Sequence, residues 1–185
     1  MQPEGFGAFA PLFEDSIAYL TLLNCDHGSK DAIALVMKCC AAVSNPYRDI
    51  CQLLRQPNWR PNLVGAVAIA ALGHDPEATS QLWVTIDRGS WVTPQLAATA
   101  FLRDPQFTDH ALERLQRGAM RSAKAASSLV HLLQRLPPRS GRVIVSPTSA
   151  EINKLLNEDK DSSGKIAECW LIALTRNLGA LGVSL

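Results

Sequence analysis

Along most of the chain, apolar residues recur every three or four positions, which is the spacing of an amphipathic helix. Phe13, Ile17 and Leu20 form the first such stripe and predict a helix over residues 11–24. Residues 47–56 are amphipathic in the same way, with Ile50 on the apolar side and Arg48 on the polar side. This spacing predicts a predominantly helical protein.

A second kind of helical segment is apolar on every side. Residues 63–72 contain only small and aliphatic side chains, and residues 96–102 are similar in character. A helix with no polar face is typical of one that neighbouring helices cover on several sides. Polar-faced and all-apolar segments alternate, which indicates helix pairs with one buried member each.

Three dipeptides mark where these pairs begin. They are Asn45-Pro46, Asp75-Pro76 and Asp104-Pro105, and their prolines are 30 and 29 positions apart (46 to 76, 76 to 105). Proline disfavours the α conformation in the residue before it and fits the first turn of a helix, while Asn or Asp supplies a capping oxygen. Each dipeptide therefore predicts a helix start, and the period indicates an α-solenoid.

The predicted fold class is all-α, a right-handed α-α superhelix of stacked antiparallel helix pairs. We expect a single domain over residues 1–185. Its parts are an N-terminal helix pair at 11–44, three repeats at 45–138 and an irregular C-terminal cap at 139–185. An irregular cap is expected because the terminal repeat of a solenoid has no neighbour on one side.

The segment Ala70-Ala-Leu-Gly-His-Asp-Pro-Glu77 resembles the short HEAT repeat class, in which an apolar helix ending Ala-Leu-Gly leads through a Gly/Asp-Pro turn into the next helix. Asn45-Pro46 and Asp104-Pro105 match the turn without the glycine. The resemblance covers about residues 30–136 and specifies a fold, with no catalytic residues to carry over. It implies a curved stack that presents one ridge of helices to a protein or, less often, to a nucleic acid.

Composition adds little that is specific. The 18 basic and 17 acidic residues give a formal net charge of +1, so no global charge attracts nucleic acid or an anionic membrane. The chain shows no secretory signal pattern, and its longest uncharged run, residues 61–73, is too short to cross a bilayer. Five cysteines, an odd number, favour free buried thiols. We expect a cytoplasmic protein.

Charge is unevenly distributed within the chain. A basic stretch between Arg114 and Arg142 has only Glu113 as an acidic neighbour. Its members are Arg114, Arg117, Arg121, Lys124, Arg135, Arg139 and Arg142. This stretch is the best argument for an anionic partner, although arginine is also common at protein interfaces and at helix ends.

Motifs for catalysis or metal binding are weak. The sequence has no GxSxG, no HExxH and no phosphate-binding glycine loop, so we predict neither an enzyme nor a cofactor. Asp159 to Gly164 resembles the start of a calcium-binding EF-hand loop, but Trp170 stands where the bidentate glutamate belongs. A solvated turn whose serines cap the last helix is the simpler interpretation, and no metal is predicted.

The predicted function is binding of another protein through the polar sides of successive helices. We call this set the outer ridge: Arg48, Gln52, Arg55, Glu77, Gln81, Arg88, Gln106, His110, Glu113 and Arg117. Trp59 and Trp91, at turns between repeats, are possible partly exposed anchors.

A small HEAT-like protein without an enzyme domain is similar to bacterial immunity proteins, which neutralise a cognate toxin. The resemblance therefore implies an immunity or inhibitor protein. The alternatives are a nucleic-acid binder that uses the basic stretch and a scaffold subunit of a larger complex.

Overall fold

A computed structural model describes residues 6–14, 16–26, 28–117, 122–136 and 150–184. Within these ranges every regular element is helical and no strand occurs. The predicted all-α fold class is therefore confirmed for the described residues. Five cysteines lie within them, all free, and only Cys169 of this set is exposed.

The described residues form a short 3₁₀ helix, Gly7–Phe9, followed by α-helices. In chain order the α-helices are α1 (Pro11–Glu14), α2 (Ser16–Asn24), α3 (Ser29–Ala41), α4 (Pro46–Arg55), α5 (Trp59–Leu72), α6 (Pro76–Arg88), α7 (Thr93–Arg103), α8 (Phe107–Arg117), α9 (Ala123–Gln134), α10 (Ala150–Glu158) and α11 (Ser163–Ala180).

Two of the three Asx-Pro dipeptides start helices as predicted. Asn45 accepts a hydrogen bond from the backbone N–H of Arg48 at 3.4 Å, and Asp75 accepts one from Ala78 at 2.9 Å, with the proline in the first turn of α4 and α6. Each cap satisfies an N–H that has no partner within its helix. At the other end of α6, Gly89 takes a positive φ of +81°, which glycine adopts without strain.

The third dipeptide behaves differently from the prediction. Helix α8 begins at Phe107, because residues 105 and 106 form a turn after Asp104. Asp104 itself follows the last residue of α7, and its carboxylate is buried. The Asp-Pro motif therefore marks the turn correctly but not the start of the helix.

An inner row of helices forms the centre of the molecule. Helices α3, α5, α7 and α9 pack side by side in that order. In α5 every residue from 61 to 70 is buried, and in α7 every residue from 93 to 100 is buried. This confirms that the all-apolar segment at 63–72 is covered on several sides.

Helices α4, α6 and α8 lie on one side of the inner row. Helix α4 packs on α5 and α6, α6 packs on α7, and α8 packs on α9. Their exposed sides carry part of the outer ridge, including Arg48, Arg55 and Glu77. Each of these outer helices is amphipathic, so the apolar stripe binds the inner row and the polar stripe faces outward.

The last helix covers more of the molecule than the final repeat. Helix α11 packs along α7 and α9 and also contacts α2 and α3 near the beginning of the chain. Trp170 of α11 is buried and donates from Nε1 to the carbonyl of Leu22 at 2.9 Å. Because α7 and α9 are apolar on that side as well, α11 supplies the cover they need. Residues 139–149 of the predicted cap lie outside the described part.

Candidate partner-binding surface

The structure brings together the outer-ridge residues of α4 and α6. Arg55 donates from Nε to Gln81 Oε1 at 3.2 Å, and its Nη2 lies 3.5 Å from Glu77 Oε1. These side chains are exposed, Arg55 by 57% and Glu77 by 75%. Three predicted residues from two successive helices therefore form one contiguous patch of mixed charge.

Arg88 belongs to the ridge but is already engaged. Its guanidinium donates to the carbonyls of Leu54, Arg55 and Gln56 at 2.8 to 3.0 Å. These carbonyls stand at the C-terminal end of α4, where the helix leaves them without partners and carries a partial negative charge. Arg88 thus joins α6 to α4, while Arg48 is exposed and Gln52 is half-buried.

His110 lies in a different environment from the predicted exposed side of α8. Its Nδ1 is 2.7 Å from Asp104 Oδ2, and the side chain is 34% exposed. The same carboxylate accepts from Trp83 Nε1 at 2.7 Å and from the backbone N–H of Gln106 at 2.8 Å. His110 is therefore half-buried and directed toward the protein.

The hydrogen bonds around Asp104 determine its ionisation. Burial raises the pKa of Asp104, but the hydrogen bonds from His110, Trp83 and the backbone of Gln106 outweigh burial and hold the pKa below its ordinary value. The buried carboxylate is consequently charged at neutral pH. It joins α6, α8 and the turn between α7 and α8.

A second connection between α6 and α8 consists of residues outside the predicted set. Arg114 pairs with both carboxylate oxygens of Asp87, at 2.8 and 3.0 Å, and its guanidinium lies 4.3 Å from the ring centre of Trp83. Bidentate pairing of this kind is geometrically specific. Sequence reasoning missed the pair because the two residues are 27 positions apart and no local pattern links them.

The outer ridge is thus only partly the surface that was predicted. Arg55, Glu77 and Gln81 cluster, Arg48 and Gln106 are exposed, and Arg88 and His110 hold helices together. Glu113 is half-buried, and the side chain of Arg117 lies outside the described part.

Three members of the basic stretch have side chains that the structure describes, and each of these three is paired with a carboxylate. Arg114 pairs with Asp87, Lys124 Nζ lies 2.8 Å from Asp161 Oδ2, and Arg135 pairs with Glu168. His131 also contacts Glu168, at 2.8 Å. Arg121, Arg139 and Arg142 lie outside the described residues. These pairs reduce the positive charge that the sequence alone suggests.

The calcium-like turn serves as the start of α11. Asp159 accepts from the backbone N–H and from the hydroxyl of Ser163, both at 2.8 Å. Burial raises the pKa of Asp159, but hydrogen bonds from Ser127 and Ser163 outweigh it and lower the pKa. The aspartate caps the helix here, where a serine was expected to do so. In the described ranges no group of three or more His, Cys, Asp and Glu residues is arranged to hold a metal ion.

A cluster that sequence reasoning only partly anticipated lies where α5 and α7 begin. We call Tyr19, Trp59, Arg60 and Trp91 the aromatic edge. The ring centres of Trp59 and Trp91 are 5.0 Å apart, and Tyr19 is 5.9 Å from Trp59. Trp91 is 56% exposed, so the predicted exposure of this anchor is confirmed.

Arg60 is the residue of this cluster that was not predicted. Its guanidinium carbon lies 4.9 Å from the ring centre of Trp59 and 5.3 Å from that of Tyr19. Its buried Nε has no hydrogen-bond partner. The sequence carries one signal for it, namely an arginine directly after a tryptophan at a repeat boundary.

None of the described helices is both long and apolar enough to span a membrane. Comparisons of the chain with protein-family models, with curated proteins and with solved structures found no match.

Proposed function

We propose that this protein is a non-enzymatic protein-binding module with a HEAT-like solenoid architecture, a right-handed superhelix of helix pairs. The side-by-side order of α3, α5, α7 and α9, with α4 and α6 on one side, supports this architecture. So do the two confirmed Asx-Pro helix starts at the predicted period. In such a stack the polar sides of the outer helices form a continuous surface.

The observation that carries the proposal is the cluster of Arg55, Glu77 and Gln81 across two successive outer helices. Arg88 holds the same two helices together through the backbone of α4. A surface held rigid in this way loses little conformational entropy when a partner docks. Both signs of charge are present, which suits a protein surface with complementary charges.

The specific form of the proposal is an immunity or inhibitor protein that binds and neutralises a toxin. Its support is the resemblance of the repeat motif and the small size of the chain. The protein toxin would then cover the outer ridge and be blocked from its own target. A scaffold role in a larger complex uses the same surface and differs only in the partner.

A nucleic-acid binder is the second candidate, and the structure argues against it. Phosphate binding needs unpaired cations on one face. Arg114, Lys124 and Arg135, the described members of the basic stretch, each pair with a carboxylate. Binding of duplex or single-stranded DNA that weakens steeply as salt increases would revive this candidate.

The experiment tests the ridge directly. The protein is co-expressed with the product of an adjacent gene, and rescue from toxicity and co-purification are both measured. The double variant Arg48→Glu with Arg55→Glu should lose both, because it reverses two exposed charges on the ridge. The matched control, Lys30→Glu with Lys38→Glu, makes the same charge change on exposed positions of α3 and should retain both.

Two results would refute the use of this surface. One is a partner that binds the ridge variant and the wild type equally well. The other is an equal loss of partner binding in both double variants, which would indicate that binding depends on the net charge of the protein and not on this surface. Co-purification without rescue would leave protein binding standing and reject the immunity role.

A further inference from the structure

The aromatic edge differs from the rest of the surface in having unsatisfied polar groups. Within the described residues, two buried side-chain polar atoms have no hydrogen-bond partner, Arg60 Nε and Gln95 Oε1. Buried polar groups are nearly always paired, so such exceptions need an explanation. Both lie at the same end of the molecule.

Their contacts show that they are neighbours. Arg60 lies over Tyr19 of α2, and Gln95 donates from Nε2 to the carbonyl of Leu23 at 3.1 Å, one helical turn further along α2. Trp59 and Trp91 connect the two positions at 5.0 Å. The unpaired groups therefore belong to one patch, formed by α2 and by the residues where α5 and α7 begin.

A cleft opens beside this patch. It has a volume of about 360 Å³ and is lined by Leu23, Asn24, Trp91, Pro94, Gln95, Lys124, Asp161 and Ile166. Trp91 and Ile166 are among the exposed large apolar residues, at 56% and 39%. The cleft thus offers apolar surface at Trp91, whose ring packs on Trp59, and Trp59 in turn contacts the guanidinium of Arg60.

Arg60 is prepared to bind a carboxylate. Two aromatic rings hold its guanidinium in place through cation–π contacts, which leave the in-plane N–H groups of the two terminal nitrogens available, whereas Nε is buried. No described carboxylate or carbonyl pairs with it, whereas Arg55, Arg88, Arg103, Arg114 and Arg135 all have acceptors. Its N–H groups match the two oxygens of a carboxylate.

We propose that the aromatic edge binds a short protein segment that places a large apolar side chain against Trp91 and an aspartate or glutamate on Arg60. The ring of Trp59 lies between Trp91 and the Arg60 guanidinium, so these two groups are at most about 10 Å apart. About three residues in extended conformation span that distance. Tryptophan, tyrosine and arginine are the residue types that dominate binding energy at protein interfaces. The inference rests on the proposed protein-binding function and assigns it a second point of contact.

The charges nearby favour this occupant over a nucleic acid. Glu158, Asp159 and Asp161 line the adjoining cleft beyond Trp91. Lys124 is paired with Asp161. A polyphosphate strand stacked on Trp91 would be repelled by these carboxylates, whereas a segment with a single carboxylate reaches Arg60 alone.

The test uses random peptides displayed on phage and selected against the whole protein. Selected peptides should carry Asp or Glu within about three residues of a large apolar residue. A synthetic peptide of the selected sequence is then titrated while tryptophan fluorescence is followed. We expect Arg60→Met and Trp91→Ala each to weaken its binding at least about tenfold.

The controls separate this site from the outer ridge. Arg48→Met removes an exposed arginine elsewhere and should leave peptide binding unchanged. Arg60→Lys keeps the charge but loses the planar fork, so we expect an intermediate affinity. If a circular dichroism melt shows that Arg60→Met does not fold, Arg60→Lys still tests the role of Arg60 in peptide binding.

The following results would overturn the inference. One is that no peptide is selected, or that the selected peptides lack an acidic residue. Another is that Arg48→Met weakens peptide binding as much as Arg60→Met does. A third is that oligothymidylate displaces the peptide and that Arg60→Met no longer binds oligothymidylate. If they occur while the ridge variant still loses its partner, the proposed function stands and only the second site fails. If peptide binding holds and the ridge variant keeps its partner, the ridge is the part that fails.

Discussion

The outer ridge and the aromatic edge use their arginines in opposite ways. On the ridge, Arg88 donates to three backbone carbonyls of α4, and next to the ridge Arg114 pairs with Asp87. On the edge, Arg60 rests on two aromatic rings and has no acceptor among the described residues. An arginine that donates hydrogen bonds to acceptors of its own chain stabilises the fold, whereas an arginine that is held in place without an acceptor is available to a partner.

The aspartates of the second and third repeats also differ in whether they bind groups nearby in sequence or groups from other helices. Asp75 caps α6 with one hydrogen bond to its own helix. Asp104, in the equivalent dipeptide, accepts from Trp83, His110 and Gln106. One motif therefore serves a local purpose in one repeat and a tertiary purpose in the next.

The largest expected effect comes from substituting Asp104→Asn. Three donors converge on this carboxylate. Asparagine replaces one of the carboxylate oxygens by an NH₂ group, so at least one of the three donors faces another N–H and loses its hydrogen bond. We expect the free energy of unfolding to fall by about 2–3 kcal/mol, measured by urea denaturation.

The matched control makes the same change at the equivalent dipeptide. Asp75→Asn keeps a capping oxygen and should change the free energy of unfolding by less than about 0.5 kcal/mol. Equal losses at the two positions would show that Asp104 is an ordinary cap.

Acid titration sharpens the same comparison. The pKa of Asp104 is below its ordinary value in the folded protein, so the charged carboxylate stabilises the fold above the unfolded-state pKa of about 3.9. This stability is lost as the pH falls through the folded-state pKa. The difference in unfolding free energy between wild type and Asp104→Asn should therefore shrink below about pH 4. A difference that stays constant from pH 7 to pH 3 would contradict the assigned charge.

Arg88→Met should have a smaller effect. Methionine keeps much of the apolar stem but removes the guanidinium donors from the carbonyls of Leu54, Arg55 and Gln56, of which Leu54 and Gln56 still accept from Asn62 Nδ2. We expect a loss of about 1–2 kcal/mol in urea denaturation. Arg48→Met, an exposed arginine on the same helix face as Arg55, should cost almost nothing. If the two substitutions cost the same, Arg88 does not hold α4 to α6.

A smaller effect on stability than that of Arg88→Met is expected for Arg60→Met. Only the cation–π contacts are lost, so the free energy of unfolding should change by no more than about 1 kcal/mol. Thermal melts of this variant and of Arg88→Met provide the comparison. A greater loss for Arg60→Met than for Arg88→Met would mean that Arg60 is structural, and the aromatic edge would lose its central residue.

Residues close in sequence account for the predictions that are confirmed. Asn45 and Asp75 reach N–H groups three positions away, and the apolar run at 63–72 shows its burial in its own composition. Both effects operate within about one helical turn. Arg55, Glu77 and Gln81 lie together as the repeat period suggests, but their role in binding a partner stays a prediction.

The remaining features depend on partners that the sequence does not place near one another. Asp104 is buried where Trp83 and His110 meet it, and α11 lies across α7 and α9 while its Trp170 bonds Leu22, 148 positions away. Arg60 acquires its environment from Tyr19, on another helix. The sequence by itself determined the all-α class, two helix starts and the buried helix, since capping and periodicity act locally. The tertiary structure decided which buried polar groups are satisfied and which, such as Arg60 Nε and Gln95 Oε1, are not, since that depends on how distant helices pack.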